Sequence, residues 1–215
     1  MRWSLRYEPW VAAGMGAFFA VGLAGHLVPA TRSWMLALTP WMLVLFGLAA
    51  LLPVLLEADW KLWLWAAGVY LATFTLEAVG TATGRVFGPY TYGRTLGLQL
   101  FGVPLVIAFN WLLVILGALL AARRLVSGAW LPSLLAAGLA AGFDWVMEPI
   151  AIRLDYWTWQ SVGIPLQNYL AWFLIALAAS LSLALPRLAT RSRLPLYYGA
   201  IQLVFFAVLR LALRT

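Results

Sequence analysis

A chain of 215 residues that is 65% hydrophobic and 10% charged lies far from the soluble norm of about 45–50% apolar and about 25% charged. Its formal charge of +7 is scattered through short connecting segments, which reads as topology signal and anionic-lipid contact and not as a nucleic-acid stripe. The absence of cysteine excludes disulfides, thiolate metal sites and cysteine nucleophiles, and a lone His26 excludes a multi-histidine metal centre within one chain.

Several stretches run about 20 residues without a charge, the length that crosses a hydrocarbon core about 30 Å thick. Seven spans are predicted: Trp10–Val28, Trp34–Leu56, Trp60–Ala82, Leu98–Ala122, Trp130–Ile152, Gly163–Leu185 and Pro195–Leu213. The expected fold is all-α, a polytopic transmembrane helical bundle forming a single domain over residues 1–215. The first apolar run leads directly into further spans and does not read as a cleavable signal peptide. Thirteen Trp and eight Tyr suffice for belts at both membrane interfaces and leave aromatics over for an interior site. Lys and Arg divide eight against six between the two sides. The larger share, with Arg2 and Arg187 in it, lies on the side of the N-terminus and slightly favours a cytoplasmic N-terminus.

Connections are short except Thr83–Gly97, whose Gly, Tyr and Arg content suggests a tightly turned or re-entrant segment. Around it the sequence repeats. With Glu77 aligned to Asp144, Tyr90-Thr91-Tyr92 falls on Trp157-Thr158-Trp159, each 13 positions after its acid. After a gap, Gly102-Val103-Pro104 matches Gly163-Ile164-Pro165, and Trp111 and Trp172 each follow their proline by seven residues. Copies over about 60–122 and 130–185 would form a parallel repeat of helix pairs, an arrangement that places a site where the copies meet. Chance similarity between aromatic-rich helix ends is the plainer alternative.

The acids sort by position. Glu8, Glu57 and Asp59 fall in or beside predicted loops and are expected to be solvated. Glu77, Asp144 and Glu148 fall within or near the ends of apolar spans, where ionisable groups are costly and face the protein interior. Asp144 and Glu148, four apart, share a helix face, and Glu77 would approach from the other copy. Such a cluster suits acid–base work, since a carboxyl that keeps its proton beside one that has lost it can give and take protons in turn. Pairing with Arg85 or Arg153, purely to hold helices together, is the bland alternative.

Near the acids the chain concentrates Phe143, Trp145, Tyr156, Trp157, Trp159, Tyr169 and Trp172 with the amides Asn110, Gln160, Gln167 and Asn168. Ring faces attract cations, and amides can hold a water molecule. Taken singly, each aromatic is more often packing or interface belt. Pro104, Pro149 and Pro165 free backbone carbonyls, which a membrane tolerates where a partner or a cavity receives them. No phosphate-binding or dinucleotide glycine motif is present. Asp144 and Glu148 do not form an aspartate-rich diphosphate site, and Lys61, the one lysine, falls at a loop, so no Schiff base can form in the last span. No metal or cofactor is expected.

The stretch Glu77-Ala-Val-Gly-Thr-Ala-Thr-Gly-Arg85-Val-Phe-Gly-Pro-Tyr90-Thr-Tyr92 resembles the first signature of the CruF-type membrane carotenoid-biosynthesis proteins. That family comprises carotenoid 1,2-hydratases and archaeal bisanhydrobacterioruberin hydratases. Its second signature is similar to Phe143-Asp144-Trp145-Val-Met-Glu148-Pro149-Ile-Ala, Tyr156-Trp157-Thr-Trp159 and Gly163-Ile-Pro165-Leu-Gln-Asn168-Tyr-Leu-Ala-Trp172. Many members carry Asp where this chain has Glu148, which keeps the carboxyl but changes its reach. The likeness covers about Trp60 to Leu185. It implies cofactor-free addition of water to the terminal double bond of an acyclic carotenoid ψ-end, on a lycopene- or γ-carotene-like substrate. Asp144, Glu148 and Glu77 would share the acid and base roles, and Tyr90, Tyr92, Trp145, Trp157, Trp159, Asn168, Trp172, Asn110 and Arg85 would line the substrate. The implied partners are water, the lipid bilayer and other carotenoid-biosynthesis enzymes, in the cell membrane of a bacterium or archaeon. A membrane lycopene cyclase shares the protonation step but must exclude water, so Asn110, Gln167 and Asn168 favour the hydratase. A small transporter, or a carotenoid-binding scaffold without catalysis, also fits intramembrane acids.

Overall fold

The computed structural model describes residues 3–184 and 190–214, so Arg2, Leu185 and Arg187 lie outside the described residues. Among these are seven helices long and apolar enough to cross a membrane. They are α1 (Trp3–Leu27), α2 (Pro29–Leu56), α3 (Trp60–Thr83), α4 (Leu105–Leu125), α5 (Trp130–Arg153), α6 (Leu166–Ala184) and α7 (Leu194–Leu213). The protein is a polytopic all-α membrane bundle, as its composition requires.

Helix ends follow local chemistry. The Asp59 side chain accepts the Lys61 N–H at 2.8 Å and caps α3, and Pro29 opens α2 after the extended Val28. The predicted starts of α1 and α4 need correction. Helix α1 begins about two turns early because Glu8 is not in a solvated loop: it is buried and accepts the Arg193 N–H at 3.2 Å, at the N-terminus of α7. Helix α4 begins seven residues late because Leu98 opens a small hairpin. In it β2 (Gln99–Leu100) pairs with β3 (Val103–Pro104), and the chain turns at Phe101 and Gly102 with φ of 53° and 76°. Positive φ at both central residues is what a tight hairpin turn requires, and Gly102 supplies it without steric cost.

Helix α4 is the axis of the bundle. Every residue from Asn110 to Gly117 is buried, and a helix apolar on all sides belongs at the centre. Around it α5 and α6 pack closely against each other, and both carry buried small residues, Ala136, Ala137 and Ala140 on α5 and Ala176, Ala179 and Ser180 on α6. In lipid such small side chains allow the backbone approach that drives helix association. Large apolar side chains point outwards along α1 and α2, including Phe18, Val21, Leu38 and Leu45.

The two longest connections on the side opposite the N-terminus meet each other. Strand β1 (Tyr90–Tyr92) pairs antiparallel with β4 (Trp157–Trp159), with Tyr90 opposite Trp159, Thr91 opposite Thr158 and Tyr92 opposite Trp157. Strand geometry alternates side chains between faces. The aromatics of Tyr-Thr-Tyr and Trp-Thr-Trp therefore share the inner face, while Thr91 and Thr158 are exposed. The Gly93 N–H to the Tyr156 carbonyl at 2.8 Å and the Gln160 N–H to the Pro89 carbonyl at 3.0 Å extend the ladder at both ends. This four-aromatic roof closes one end of the space between α3, α4, α5 and α6.

Candidate functional site

Under the roof the three acids come together from two helices. Glu77, on α3, is buried and accepts a hydrogen bond from the Tyr90 hydroxyl, with the Tyr92 hydroxyl also bonded to it. Burial, and after it the charge of Glu77, pushes both tyrosine hydroxyls well above their ordinary value of 10.0, so both stay neutral donors. On α5, Glu148 Oε2 accepts the indole N–H of Trp157 at 3.0 Å and of Trp159 at 2.9 Å. One turn earlier, Asp144 Oδ2 receives the Asn168 amide at 2.5 Å, and the same amide nitrogen reaches Glu148 Oε1 at 3.2 Å. Asn168 thus spends its two N–H groups on two different carboxyls.

Among the described residues none of the three acids forms an ion pair. Arg153 donates instead to the Leu213 carbonyl at 3.1 Å, and Arg85 is exposed in the loop after α3. Nor do three His, Asp or Glu converge as a metal-ligand set among them. Neutral donors hold the carboxyls, an arrangement that satisfies oxygen lone pairs without neutralising charge.

Trp111 and Trp172 stack at 3.5 Å with an interplanar angle of 14°, and Phe87 stacks on Trp172 at 5.0 Å. Trp172 therefore has parallel rings against it on α4 and in the loop, and little open face to offer a cation. Tyr90 and Trp159, tilted at 4.8 Å, and Trp157, edge-on to Tyr92 at 5.8 Å, are aromatics that themselves donate to the acids. The pocket lined by the three acids, Asn168, Trp111, Trp172 and the four aromatics of the roof has about 10 Å³ of free space, which is about one water molecule.

Next to it lies a larger apolar cavity of about 310 Å³, walled by α1, α2, α4 and α7. The two spaces share Ile107, Met147 and Trp157 as their partition. Phe18, Val21 and Leu38 line the larger cavity and are also exposed, so it opens sideways between α1 and α2 towards the bilayer.

Several expected site residues lie elsewhere. Asn110 is in the larger cavity, where its Oδ1 accepts from the Tyr198 hydroxyl and Gln202 Nε2, both at 3.0 Å. It does not touch the acids, because it faces α7 while they lie towards α6. Trp145 follows Asp144 by one residue, about 100° round the helix, and is 56% exposed on the lipid side. There the Arg210 guanidinium sits 4.2 Å over its ring, and Arg210 also donates to its carbonyl. Arg85 contributes only its backbone: its carbonyl, like that of Val86 at 3.1 Å, accepts from Gln167 Nε2. Gln160 is exposed, so Asn168 is the one predicted amide at the carboxyls. The sequence reading missed the wall built by α1, α2 and α7, since generic apolar helices carry no motif. The alternation in Tyr-Thr-Tyr and Trp-Thr-Trp was the available signal for the strands.

A bundle of apolar helices enclosing donor-held carboxyls beside a lipid-facing apolar cavity defines a polytopic membrane protein with a buried acid site. Residues 38–214 match the family described as carotenoid biosynthesis protein, and the chain belongs to that family. It is similar to the bisanhydrobacterioruberin hydratase of Haloarcula japonica, at 34% identity over 156 residues that cover 65% of this chain and 52% of that protein. The chain thus spans about half the length of that curated relative. No solved structure matches it.

Proposed function

We propose that the protein is a membrane carotenoid 1,2-hydratase, adding water to the terminal double bond of an acyclic ψ-end without a cofactor. The observation that carries this reading is the shared partition. An apolar cavity open to the bilayer abuts three buried carboxyls across Ile107, Met147 and Trp157. A long polyene dissolves in lipid, enters between α1 and α2, and presents its end to the acids. Asp144, Glu148 and Glu77 share the proton transfers. The C1=C2 π pair takes a proton from a carboxyl to form the C2–H bond, leaving a tertiary cation at C1. Water attacks C1 and surrenders a proton to a carboxylate, so the acid is regenerated and the net change is one H2O.

Space for about one water beside Asp144 and Glu148 favours hydration over cyclisation, which needs a dry pocket. Lycopene- or γ-carotene-like ends are the expected substrates. The two signature loops, paired as β1 and β4, and the Trp111–Trp172 stack support reading residues 60–122 and 130–185 as related halves. Expression in bacteria that accumulate acyclic carotenes tests the reaction. The expected product gains the mass of one water, and Asp144→Asn gives none. A ring-bearing isomer of unchanged mass would indicate a cyclase. Unaltered pigment with substrate-dependent proton flux in vesicles would indicate a transporter, and pigment bound but never altered a scaffold.

A further inference from the structure

A wall of side chains stands between a ligand in the larger cavity and the acids. None of Glu77, Asp144 and Glu148 lines that cavity, and the pocket that holds them has about 10 Å³ free, room for about one water. The dimethyl-substituted alkene at the end of a ψ-chain is larger than a water by several carbon atoms. A chain end resting in the larger cavity is therefore beside the acids and out of contact with them. Proton transfer needs the two partners within hydrogen-bond reach, so part of the wall must yield.

The wall consists of the side chains common to both spaces, Ile107, Met147 and Trp157, and they differ in how readily they move. Ile107 stands on the central helix α4, and a β-branched side chain in a helix keeps to one strongly preferred χ1 setting. Trp157 is fixed twice. Its backbone pairs with Tyr92 in the β1–β4 ladder, and its indole N–H donates to Glu148 Oε2 at 3.0 Å, so turning it would unpair a buried carboxyl oxygen. Met147 has an unbranched chain with three rotatable bonds and no strong hydrogen bond to lose. It follows Asp144 by three residues on the same face of α5 and directly precedes Glu148. Displacing this one side chain opens the wall next to both acids.

We propose that Met147 is the gate between the lipid-facing cavity and the acid site, its side chain swinging aside to admit the end of an apolar ligand to Asp144 and Glu148. The hydratase reading supplies the identity of what passes the gate. The gate itself can be read without any carotenoid.

The probe is N,N′-diisopropylcarbodiimide, a lipid-soluble reagent whose branched ends resemble the dimethyl end of a ψ-chain. It adds to a protonated carboxyl, and the resulting N-acylurea is quantified on the α5 peptide by mass spectrometry after treatment of membranes at mildly acidic pH. Met147→Ile retains an apolar side chain but stiffens it. Labelling of Asp144 and Glu148 should slow roughly two- to tenfold, the scale of forcing one side chain off its rotamer. Met147→Leu restores the unbranched Cβ and should recover the wild-type rate, which separates mobility from bulk. Met147→Ala joins the two spaces and should label faster than wild type; if it fails to insert, the Ile and Leu pair decides alone. In cells that accumulate acyclic carotene, hydrated product per inserted protein should fall by the same factor in Met147→Ile and recover in Met147→Leu. Equal label or equal product across wild type and these two variants overturns the gate, as does a wild type whose two acids take no label. Label that follows the side chain, with no hydrated product from wild type, keeps the gate and removes the hydratase reading.

Discussion

Asn168 Nδ2 lies 2.5 Å from Asp144 Oδ2 and is the hinge of the acid cluster, because its second hydrogen reaches Glu148 Oε1. One amide from α6 therefore sets the spacing of two carboxyls on α5. Replacing it with Leu leaves both oxygens short of a donor in a medium that supplies none. Asn168→Leu should reduce turnover on the order of 100-fold or more, the scale of positioned acid–base groups. Its level in membranes should fall much less, since the helix contact remains. Product measured against membrane-inserted protein checks this, and activity within about twofold of wild type would show that the amide only packs.

The two indoles on Glu148 Oε2 form a second unit. Trp157→Phe and Trp159→Phe keep an aromatic ring, though a smaller one, and each remove one donor, at 3.0 and 2.9 Å. One donor lost should cost about tenfold in turnover, the equivalent of about 1.4 kcal/mol and at the upper end for one hydrogen bond. Losing both leaves Oε2 with neither indole, so the double variant should fall by more than the product of the single effects. Simple multiplication of the two effects would mean that the rings act independently, through packing.

Tyr90 gives a pH signature outside the spans. Burial and Glu77 raise its hydroxyl well above 10.0 in the folded protein, so folding favours the neutral form. The sign follows from linkage: this contribution is fully present below the unfolded-state value near 10 and is lost as pH rises from there towards the folded value. Thermal stability in detergent should therefore show no Tyr90-dependent change between about pH 7 and 9 and a decline above about 10. Tyr90→Phe should flatten that decline. Equal declines in both proteins would sink the assignment.

Much of the fold and of the site is legible in the sequence. Seven spans, the three acids and the tryptophans at 157, 159 and 172 follow from hydropathy and spacing, because a charge inside an apolar run has few bland explanations. Trp145 lies apart from the acids because adjacency in sequence says nothing of helix face: one residue from Asp144 is enough to turn a ring into lipid. The amide of Asn110 suits the acids by chemistry alone, yet its partners Tyr198 and Gln202 come from α7, a helix without a motif. The cavity wall was invisible for the same reason. Lipid-facing and cavity-facing apolar side chains look alike in a sequence.

The pairing of the two signature loops depends on a position with room for hydrogen alone. A Cβ at Gly93 would run into the Asp155 carbonyl, on the segment whose next residue, Tyr156, accepts the Gly93 N–H at 2.8 Å. Backbone on both sides leaves no flexible side chain to yield. Gly93→Ala must therefore push β1 away from β4 and lift Tyr90 and Tyr92 relative to Trp157 and Trp159. The acids stay in their helices but lose the roof that supplies their hydroxyl and indole donors. Product should fall at least tenfold, the equivalent of about 1.4 kcal/mol and so of one donor lost at a carboxyl, while the spans still insert. Gly138→Ala is the control, since a Cβ there meets nothing within 4 Å and alanine suits a helix better than glycine. It should leave product unchanged and stability equal or slightly higher. If Gly93→Ala matches that control in product formation, the loop pairing is not what holds the donors over the acids.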